Sequence, residues 1–316
     1  MANPSLSEIV TTTLRDRSKT LSDNVTNNNA LLARINKAGN RKPASGRDII
    51  QELEYAENGT VEMYSNYDVI DTTPQDVLTS AVFDWKQLAG TVTISGLEEV
   101  QNSGSERVLD LLESRISVLE KSLQNKLASQ LYSAGSVSTD LDGLQLAVAD
   151  DPTTGTYGGI NRATTAGTFW RNQNYDFSAE GITAASTTIQ TAMNTLYLDC
   201  VRNADSTDMI VAGSTYYKYY WESLQSIQRI TSDSNGSAGF TSLKYLDSDV
   251  FFDSNCGATR MYFLNTDYIK LRYHPDRDFV PLETRNGFNQ DSSVIPVVWA
   301  GNICCSNASL QGVVCA

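Results

Sequence analysis

The stretch FDWKQLAGTVTISGLEEVQNSGSERVLDLLESRI, residues 83–116, joins a run of strand-forming residues directly to a long helical pattern. Residues 81–94 predict a strand, because β-branched and aromatic side chains are frequent there. Ser103 and Glu106 then fit a capping box, in which the serine hydroxyl and the glutamate carboxylate satisfy free backbone N–H groups. A helix is therefore predicted over residues 104–134, with a length of about 46 Å at 1.5 Å per residue.

The apolar residues of this predicted helix recur mostly at a spacing of four, which places them on one face. The spacing lacks sustained heptads, so it favours one amphipathic helix over a coiled-coil dimer. Gly135 supplies a stop, since glycine readily adopts the left-handed conformation at a helix end. The apolar residues are Val108, Leu112, Ile116, Leu119, Leu123, Leu127 and Leu131.

Upstream, residues 60–71 (TVEMYSNYDVID) alternate between apolar and polar side chains, which is typical of a strand. We predict that this strand pairs with residues 81–94 in a long hairpin, with Pro74 as a breaker between them. An isolated two-stranded hairpin is only marginally stable in water. The sequence therefore predicts that the hairpin leans on something else, and a partner chain is a candidate.

Downstream, the chain predicts a mixed middle followed by a β-rich end, which gives an α+β fold class. The predicted elements are a short strand at 142–149, a helix from Ser178 or Glu180 to about Leu198, a strand at Met209–Ala212, a helix from Ser214 to about Ile230, and strands within 249–254, 259–265, 268–274, 279–283 and 293–314.

Charge is distributed unevenly along the 316 residues. Residues 1–47 carry eight basic and three acidic side chains, a net charge of +5, which leaves −18 for the rest of a chain whose total is −13. This pattern suggests a basic arm that lies against an acidic surface, its own or a neighbour's. A solvated, frayed terminus is the alternative. The acidic body argues against a nucleic-acid groove, which needs clustered Lys and Arg.

The motifs of common enzymes are absent from the sequence. There is no Gly-Lys pair for a P-loop, no G-x-G-x-x-G and no G-x-S-x-G. The chain has one histidine, His274, beside Pro275, and no C-x-x-C pair, so we predict no metal site, no cofactor and no enzymatic activity. The carboxylates of a glycosidase remain open, because their pairing is spatial.

Three further features receive plain interpretations. The five cysteines are predicted to be reduced thiols rather than a disulfide framework. No apolar run of about 18 residues and no N-terminal signal are present, so we expect no membrane segment. The aromatic cluster at 216–221 could stack on a sugar or a base, but packing of a helix onto a sheet is favoured, since the rings spread round the helix.

The order of polar arm, long hairpin, capped helix, mixed middle and β-rich end resembles the major capsid proteins of tailed bacteriophages, which have the Hong Kong 97-type fold. The resemblance is most specific in residues 83–116, and residues 249–283 and 296–313 are similar to the closing strands of that family. It implies these parts: an N-terminal arm at 1–48, an extended loop (E-loop) at 49–96, a peripheral domain with the spine helix at 97–140, an axial domain at 141–265, and the closing strands of the peripheral domain at 266–316.

By this resemblance, the chain would be a structural protein of the virion, assembled in the host cytoplasm. Its copies would form hexamers and pentamers of an icosahedral shell that encloses double-stranded DNA without sequence-specific binding. Scaffold, portal and cement or decoration proteins are further partners that the family allows. The Lys–Asn crosslink of some members is not carried over, because the hairpin offers only Lys86. An encapsulin-like cargo compartment and a glycan-binding or glycan-hydrolysing protein are the alternatives.

A shell subunit buries its apolar faces against copies of itself, so we expect two groups of inter-subunit contacts. Basic residues of the arm would meet an acidic neighbour, and aromatic residues of the hairpin, above all Phe83 and Trp85, would pack over an adjacent subunit. The candidate contact residues are Arg15, Arg17, Arg34, Arg41, Tyr64, Tyr67, Phe83, Trp85 and Lys86.

Overall fold

The computed structural model describes residues 30–101, 105–224, 242–286 and 290–316. It has a mixed α+β architecture, which confirms the predicted fold class. The helices of the described residues are α1 (Ala30–Lys37), α2 (Gly96–Gln101), α3 (Ser105–Gln130), α4 (Leu144–Ala147), α5 (Ile189–Asp199) and α6 (Ser214–Ser223), with 3-10 turns at Thr165–Trp170 and Pro275–Arg277.

The strands of the described residues form two six-stranded sheets and two short two-stranded ones. They are β1 (Arg41–Pro43), β2 (Ile49–Glu54), β3 (Leu78–Phe83), β4 (Lys86–Ser95), β5 (Thr156–Tyr157), β6 (Ile160–Asn161), β7 (Gln173–Asp176), β8 (Met209–Ala212), β9 (Ser242–Tyr245), β10 (Ser248–Phe252), β11 (Met261–Leu264), β12 (Ile269–Tyr273), β13 (Val280–Pro281), β14 (Arg285–Asn286), β15 (Ser292–Cys305) and β16 (Gly312–Cys315).

The first sheet is organised around the long strand β15. Strand β4 pairs antiparallel with β15 over ten residues, with Leu88 opposite Trp299, and β12 pairs with the other half of β15. Strand β1 joins this sheet in parallel beside β12. The stretch around 83–116 is therefore fixed to the C-terminal part of the chain, because its strand β4 is hydrogen-bonded to β15.

Helix α3 lies across β4, as the sequence pattern predicts. It begins at Ser105 and ends at Gln130, slightly before the predicted end. The predicted apolar face is confirmed from Ile116 onward, where Ile116, Leu123, Leu127 and Leu131 are all buried. The predicted cap at Ser103, and the side chains of Val108 and Leu112, lie outside the described residues.

Gly90 allows the close approach of this helix to the sheet. A Cβ at Gly90 would lie 2.4 Å from Cδ1 of Leu119 and 3.2 Å from Cδ2 of Leu123. Such contacts are shorter than van der Waals packing allows, so a larger residue at position 90 would have to displace the side chain of Leu119. The predicted stop, Gly135, has a φ of +62°, which is the left-handed conformation that favours glycine.

The second sheet has the order β7-β16-β11-β8-β10-β9 and carries α5 and α6. Strand β8 is buried along its whole length, as predicted for Met209–Ala212. The strand predictions within 249–254, 259–265 and 268–274 are confirmed by β10, β11 and β12. The aromatic cluster at 216–221 packs α6 against this sheet, with Tyr216 and Tyr220 buried, which is the interpretation favoured from the sequence.

Two helix and strand predictions need correction, and a third is tested only at one end. Residues 142–149 contain the short helix α4 and no strand, because a short apolar run does not distinguish a buried helix from a strand. Helix α5 begins at Ile189 rather than near residue 180. The Thr- and Ala-rich residues 182–188 before it are irregular and end in a turn, and β-branched threonine is a weak helix former. Helix α6 begins at Ser214 as predicted, but its predicted end near Ile230 lies outside the described residues.

The predicted hairpin also needs correction. Residues 60–71 form no strand. The hairpin instead joins β2 to β3 in six residue pairs, from Ile49 opposite Phe83 to Glu54 opposite Leu78. Alternation alone misled the prediction, since a segment of alternating residues becomes a strand only where a neighbouring backbone pairs with it.

Candidate assembly surface

An exposed loop, residues 56–77, connects β2 to β3, and solvent reaches nearly all of its residues. Its two ends meet, because the backbone N–H of Tyr55 donates to the carbonyl of Val77 at 3.1 Å. The hydroxyl of Tyr55 donates to the carbonyl of Asp76 at 2.5 Å. These two hydrogen bonds hold the ends of the loop together, and we call this junction the closed neck.

Within the loop, short side-chain hydrogen bonds shape the backbone. Asn58 Oδ1 accepts from the backbone N–H of Thr60 at 3.0 Å, and Asp68 Oδ2 accepts from that of Ser65 at 2.7 Å. Asp71 accepts from both the hydroxyl and the N–H of Thr73, and these bonds lower the pKa of its carboxyl. Such local bonds define turns, so the loop has a specified shape without a strand ladder.

The loop exposes apolar side chains and carries only negative charge. Met63 is 100% exposed and Tyr67 is 98% exposed. The other large exposed apolar residues of the loop are Val61, Tyr64, Val69 and Ile70. Residues 49–83 contain no Lys or Arg, and their acidic residues are Glu52, Glu54, Glu57, Glu62, Asp68, Asp71 and Asp76. Large exposed apolar side chains are numerous in this one loop, which makes it a candidate interaction surface.

The outer face of the hairpin continues this surface. Ile50 and Val82 lie directly opposite each other on β2 and β3, and both are exposed, as is Leu78 at the end of β3. Sequence reasoning missed these three residues because it placed the first strand too late. The sequence did contain a signal for this strand. Ile49 and Leu53 are an even number of residues apart and so share one face of a strand, whereas Ile50 lies on the other face.

The inner face of the hairpin anchors it to its own chain. Phe83 is 1% exposed and meets the ring of Tyr157 edge-on at 5.1 Å. The backbone N–H of Val82 donates to the carbonyl of Gly158 at 3.0 Å. Phe83 is thus a core residue of its own subunit, and the expectation that it packs over a neighbour is wrong, because its side chain is already covered.

The described part of the basic arm also packs on its own chain. Arg34 of α1 pairs with Asp249 at 3.0 Å and lies 4.2 Å above the ring of Phe251. Arg41 of β1 pairs with Asp278 and lies 4.5 Å above the ring of Tyr273. The acidic surface that these two arginines meet is therefore within the chain, and neither is a frayed, solvated residue. Arg15 and Arg17 lie outside the described residues.

Trp85 lies in the short connection from β3 to β4, and Lys86 is the first residue of β4. The indole N–H of Trp85 donates to the carbonyl of Gly46 at 3.1 Å, and its ring meets His274 at 5.5 Å. Lys86 Nζ donates to the carbonyl of Ser138 at 2.8 Å. Trp85 and Lys86 are half-buried and hydrogen-bonded within their own chain. Among the candidate contact residues that the structure describes, only Tyr64 and Tyr67 are largely exposed.

The titratable and nucleophilic side chains suggest structural roles. All five cysteines are buried free thiols, as predicted, and burial raises the pKa of Cys200, Cys256, Cys305 and Cys315 to about 12. His274 Nδ1 accepts from the N–H of Asp276 at 3.2 Å and so caps the turn that follows it. Among the described residues, no cluster of three His, Cys, Asp or Glu side chains could hold a metal ion.

A polar cleft of about 430 Å³ lies at the foot of the exposed loop. Tyr55 and Phe169 form one wall, with their rings 5.4 Å apart, and Arg171 and Arg202 line it as well. Glu54 is the one carboxylate among its lining residues, whereas glycoside hydrolysis ordinarily uses two. No helix in the described ranges has both the length and the apolar character to cross a bilayer.

Solved structures with a similar backbone arrangement include shell proteins. The capsid of cyanophage A-1(L) is similar with a TM-score of 0.66 and 17% sequence identity, over 87% of this chain and 89% of that one. The capsid of a native GTA particle gives a TM-score of 0.57 at 9% identity, over 89% of both chains. The SrpI encapsulin of Synechococcus elongatus PCC 7942 gives 0.54 at 9% identity, over 87% of this chain and 83% of that one.

The chain has the fold of these shell proteins. At the level of sequence, the chain resembles tailed-phage capsid proteins mainly in the order of its elements. The structural comparison confirms this resemblance. No protein-family model matches the sequence, and no curated protein matches it. At such low identity the backbone arrangement, rather than any residue motif, is what the chain shares with these proteins.

Proposed function

We propose that this chain is the major capsid protein of a tailed bacteriophage, and that its copies assemble into the icosahedral shell around a double-stranded DNA genome. The fold supports the proposal because similar structures cover nearly nine-tenths of the chain and come from phage capsids. The parts follow the Hong Kong 97-type plan: an arm at 1–48, an extended loop at 49–96, a peripheral domain at 97–140 and 266–316 with α3 as its spine, and an axial domain at 141–265.

The observation that carries the proposal is the exposed loop. A monomer gains nothing by holding Met63 and Tyr67 in water on a loop with a defined neck, since burying such a side chain is worth about 1.5–3 kcal/mol. Copies that lie side by side in a shell cover such surfaces through heterologous contacts that close into rings. Tyr64 and Tyr67 are therefore proposed as inter-subunit contacts, together with Ile50, Leu78 and Val82.

The charge distribution fits a container for DNA. The acidic body gives a shell that does not grip phosphates, because sequence-independent DNA binding requires clustered Lys and Arg. The packaged genome would then be confined and not bound. Hexamers and pentamers of this chain are the proposed assembly units, in the virion, with no catalytic role for any residue. Scaffold, portal or cement proteins would be added partners.

Shortening the exposed loop tests the proposal. Replacing residues 57–75 by a short Asn-Gly turn keeps the neck at Tyr55 and Val77. We expect a chain with unchanged circular dichroism and thermal unfolding that forms no closed shells in electron microscopy. The double change Met63→Ser with Tyr67→Ser should weaken assembly in the same way, and Thr72→Ser with Thr73→Ser in the same loop is the matched control. Normal shells from the shortened chain would contradict the proposal.

An encapsulin-like cargo compartment is the second candidate, and the similarity to the SrpI encapsulin favours it. The two candidates differ in what the particle contains. Particles isolated from the native source should hold nuclease-protected double-stranded DNA if the chain is a capsid protein. A single co-purifying enzyme inside the particle, with no protected DNA, would establish the compartment instead.

A further inference from the structure

The sequence holds three Asn-Gly pairs, one of which lies in the exposed loop. Asn58 and Gly59 follow each other there, and both are open to solvent. Asn286 lies in β14 and is paired with Ser293 of β15, and Asn235 lies outside the described residues. Because glycine has no side chain, an Asn-Gly pair leaves the glycine nitrogen unshielded beside the side-chain amide of the asparagine.

The side-chain carbonyl of Asn58 is held by two donors from one residue. Its Oδ1 accepts from the backbone N–H of Thr60 at 3.0 Å and from the hydroxyl of Thr60 at 2.8 Å. The backbone carbonyl of Asn58 accepts from the N–H of Val61 at 3.3 Å. Two donors on Oδ1 draw electron density away from Cγ, and they stabilise the negative charge that Oδ1 carries once a nucleophile has added to Cγ.

The backbone nitrogen of Gly59 is the adjacent nucleophile. Among the backbone hydrogen bonds of the described residues, none engages its N–H as a donor. A Cβ at position 59 would lie 3.5 Å from Oε1 of Gln75, which is an ordinary contact. Packing therefore does not require glycine at this position, and its lack of a side chain leaves the nitrogen accessible.

We propose that Asn58 is a self-modification site, at which the loop converts its own asparagine into aspartate or isoaspartate. The Gly59 nitrogen gives its proton to water and forms a bond to Cγ of Asn58. The bond from Cγ to Nδ2 breaks, and Nδ2 leaves as ammonia with a proton taken from water, so that a succinimide ring remains. A water molecule then opens the ring, at Cγ to give aspartate or at the backbone carbonyl carbon to give isoaspartate. The sum is one water consumed and one ammonia released.

The modification changes the charge and the shape of the loop. Either product adds a carboxylate to a segment, residues 49–83, that has no Lys or Arg. Isoaspartate also routes the backbone through the former side chain, which lengthens the chain between the closed neck and Tyr64. The inference goes beyond the proposed function and does not depend on it, because the reaction needs only the loop and water.

Peptide mapping by mass spectrometry tests the assignment, after incubation of the folded chain at neutral pH. No Lys or Arg lies between Arg47 and Lys86, so trypsin releases Asn58 and Asn66 in one peptide. We expect the mass gain of replacing NH₂ by OH to accumulate at Asn58. It should be much slower at Asn66, which is also exposed but precedes Tyr67, whose side chain hinders attack by the backbone nitrogen. Equal rates at these two asparagines would overturn the inference.

Two substitutions test the roles of the neighbouring residues. Thr60→Val removes the hydroxyl donor and should slow the conversion about fivefold, the effect of one hydrogen bond that strengthens as charge develops on Oδ1. Thr60→Ser keeps the hydroxyl and is the matched control, which should react like the unmodified chain. Gly59→Ala fits the loop but crowds the nitrogen, so it should also react more slowly, with unchanged circular dichroism.

Three results would overturn the inference while leaving the proposed function intact. The first is an unmodified chain in which Asn58 stays intact while the protein is folded. The second is an equal rate in Thr60→Val and Thr60→Ser, and the third is an undiminished rate in Gly59→Ala. The comparison of Asn58 with Asn66 needs no variant, so it decides the assignment even if a substitution disturbs the loop.

Discussion

The arginines of the arm illustrate how single residues fix this fold. Arg34 and Arg41 each combine an ion pair with an aromatic ring beneath the guanidinium. A planar guanidinium can make both contacts at once, whereas a lysine ammonium is a point charge that prefers water. The net charge of the arm indicated an acidic partner surface, but it could not indicate that the partner was the same chain, because charge counts carry no spatial information.

Arg34→Lys is expected to destabilise the unassembled chain by about 1 kcal/mol, because the charge remains but the stacking on Phe251 is lost. Chemical denaturation with urea, followed by circular dichroism, measures this difference. Arg47→Lys is the matched control, since Arg47 is 96% exposed, and it should stay within about 0.5 kcal/mol of the unmodified protein. Equal stability of the two variants would contradict the role given to Arg34.

Glu98 gives a prediction for acid conditions. Its hydrogen bonds from Arg115 and from the N–H of Ser95 lower its pKa from 4.5 to about 2. A carboxyl with a depressed pKa in the folded state stabilises that state above its unfolded pKa and loses this contribution as pH falls through the folded one. The stability advantage of the unmodified chain over Glu98→Gln should therefore be full at pH 6 and decline between about pH 4.5 and pH 2.

Unfolding temperatures of both proteins across this range measure the effect. The group is partly exposed, so the advantage should be small and should shrink in high salt. A pH-independent difference between the two proteins would show that Glu98 acts through packing and not through its charge. The result bears on the junction of β4 with α2 and α3, because Arg115 also donates to the carbonyl of Thr93 on β4.

At the scale of elements, the strongest periodic patterns were predictable and isolated alternation was not. The long helix α3 and the buried strand β8 followed from spacing and composition. The strand at 60–71 did not form, although its alternation was clear, because pairing depends on a partner that the local sequence does not contain. The true partner of β4 is β15, about 200 residues further along the chain, and no local pattern encodes such a distant pairing.

Leu127→Ala in α3 is expected to cost about 2–5 kcal/mol, the usual range for emptying a leucine site in a packed core. Leu127 is 2% exposed and faces the first sheet. Val118→Ala on the same helix is the control, because Val118 is 64% exposed and alanine is the better helix former. The free energy of unfolding from urea titrations should separate the two variants clearly. Similar losses in both would indicate that α3 is not anchored through this face.

At the scale of the whole molecule, the arm and the body form one folding unit in the described residues. Helix α1 buries Ala30, Leu31, Leu32 and Ile35, and β1 adds a strand to the first sheet. The candidate contact residues differ from one another in how far the fold exposes them. Tyr64 and Tyr67, which sequence reasoning named as contact residues, are exposed in the structure, whereas Phe83, which it also named, is covered by tertiary packing. Exposure of an aromatic residue is decided by the whole fold and not by its neighbours in sequence.

Deleting residues 1–47 should therefore destabilise the chain itself. Each large buried apolar side chain of α1 contributes about 1.5–3 kcal/mol, and a typical domain has only about 5–15 kcal/mol in total. We expect a large fall in unfolding temperature or loss of the folded chain. Deleting residues 1–29 keeps α1 and β1, so this truncation should retain a higher unfolding temperature than the deletion of residues 1–47. Equal stability of the two truncations would contradict the packing of α1.

The closed neck at Tyr55 and Val77 has an evolutionary consequence. Mutations, insertions and deletions between those two residues leave the hydrogen bonds between β2 and β3 in place. Such changes should therefore have little effect on folding, and selection for correct folding should tolerate them. In the proposed shell, compatibility with neighbouring copies would be the main constraint on such changes. Related proteins are therefore expected to differ most in that segment, while the rest of the molecule changes less. Each form would then make its best contacts with copies of itself. Co-expression of two diverged forms should then yield separate particles rather than hybrids.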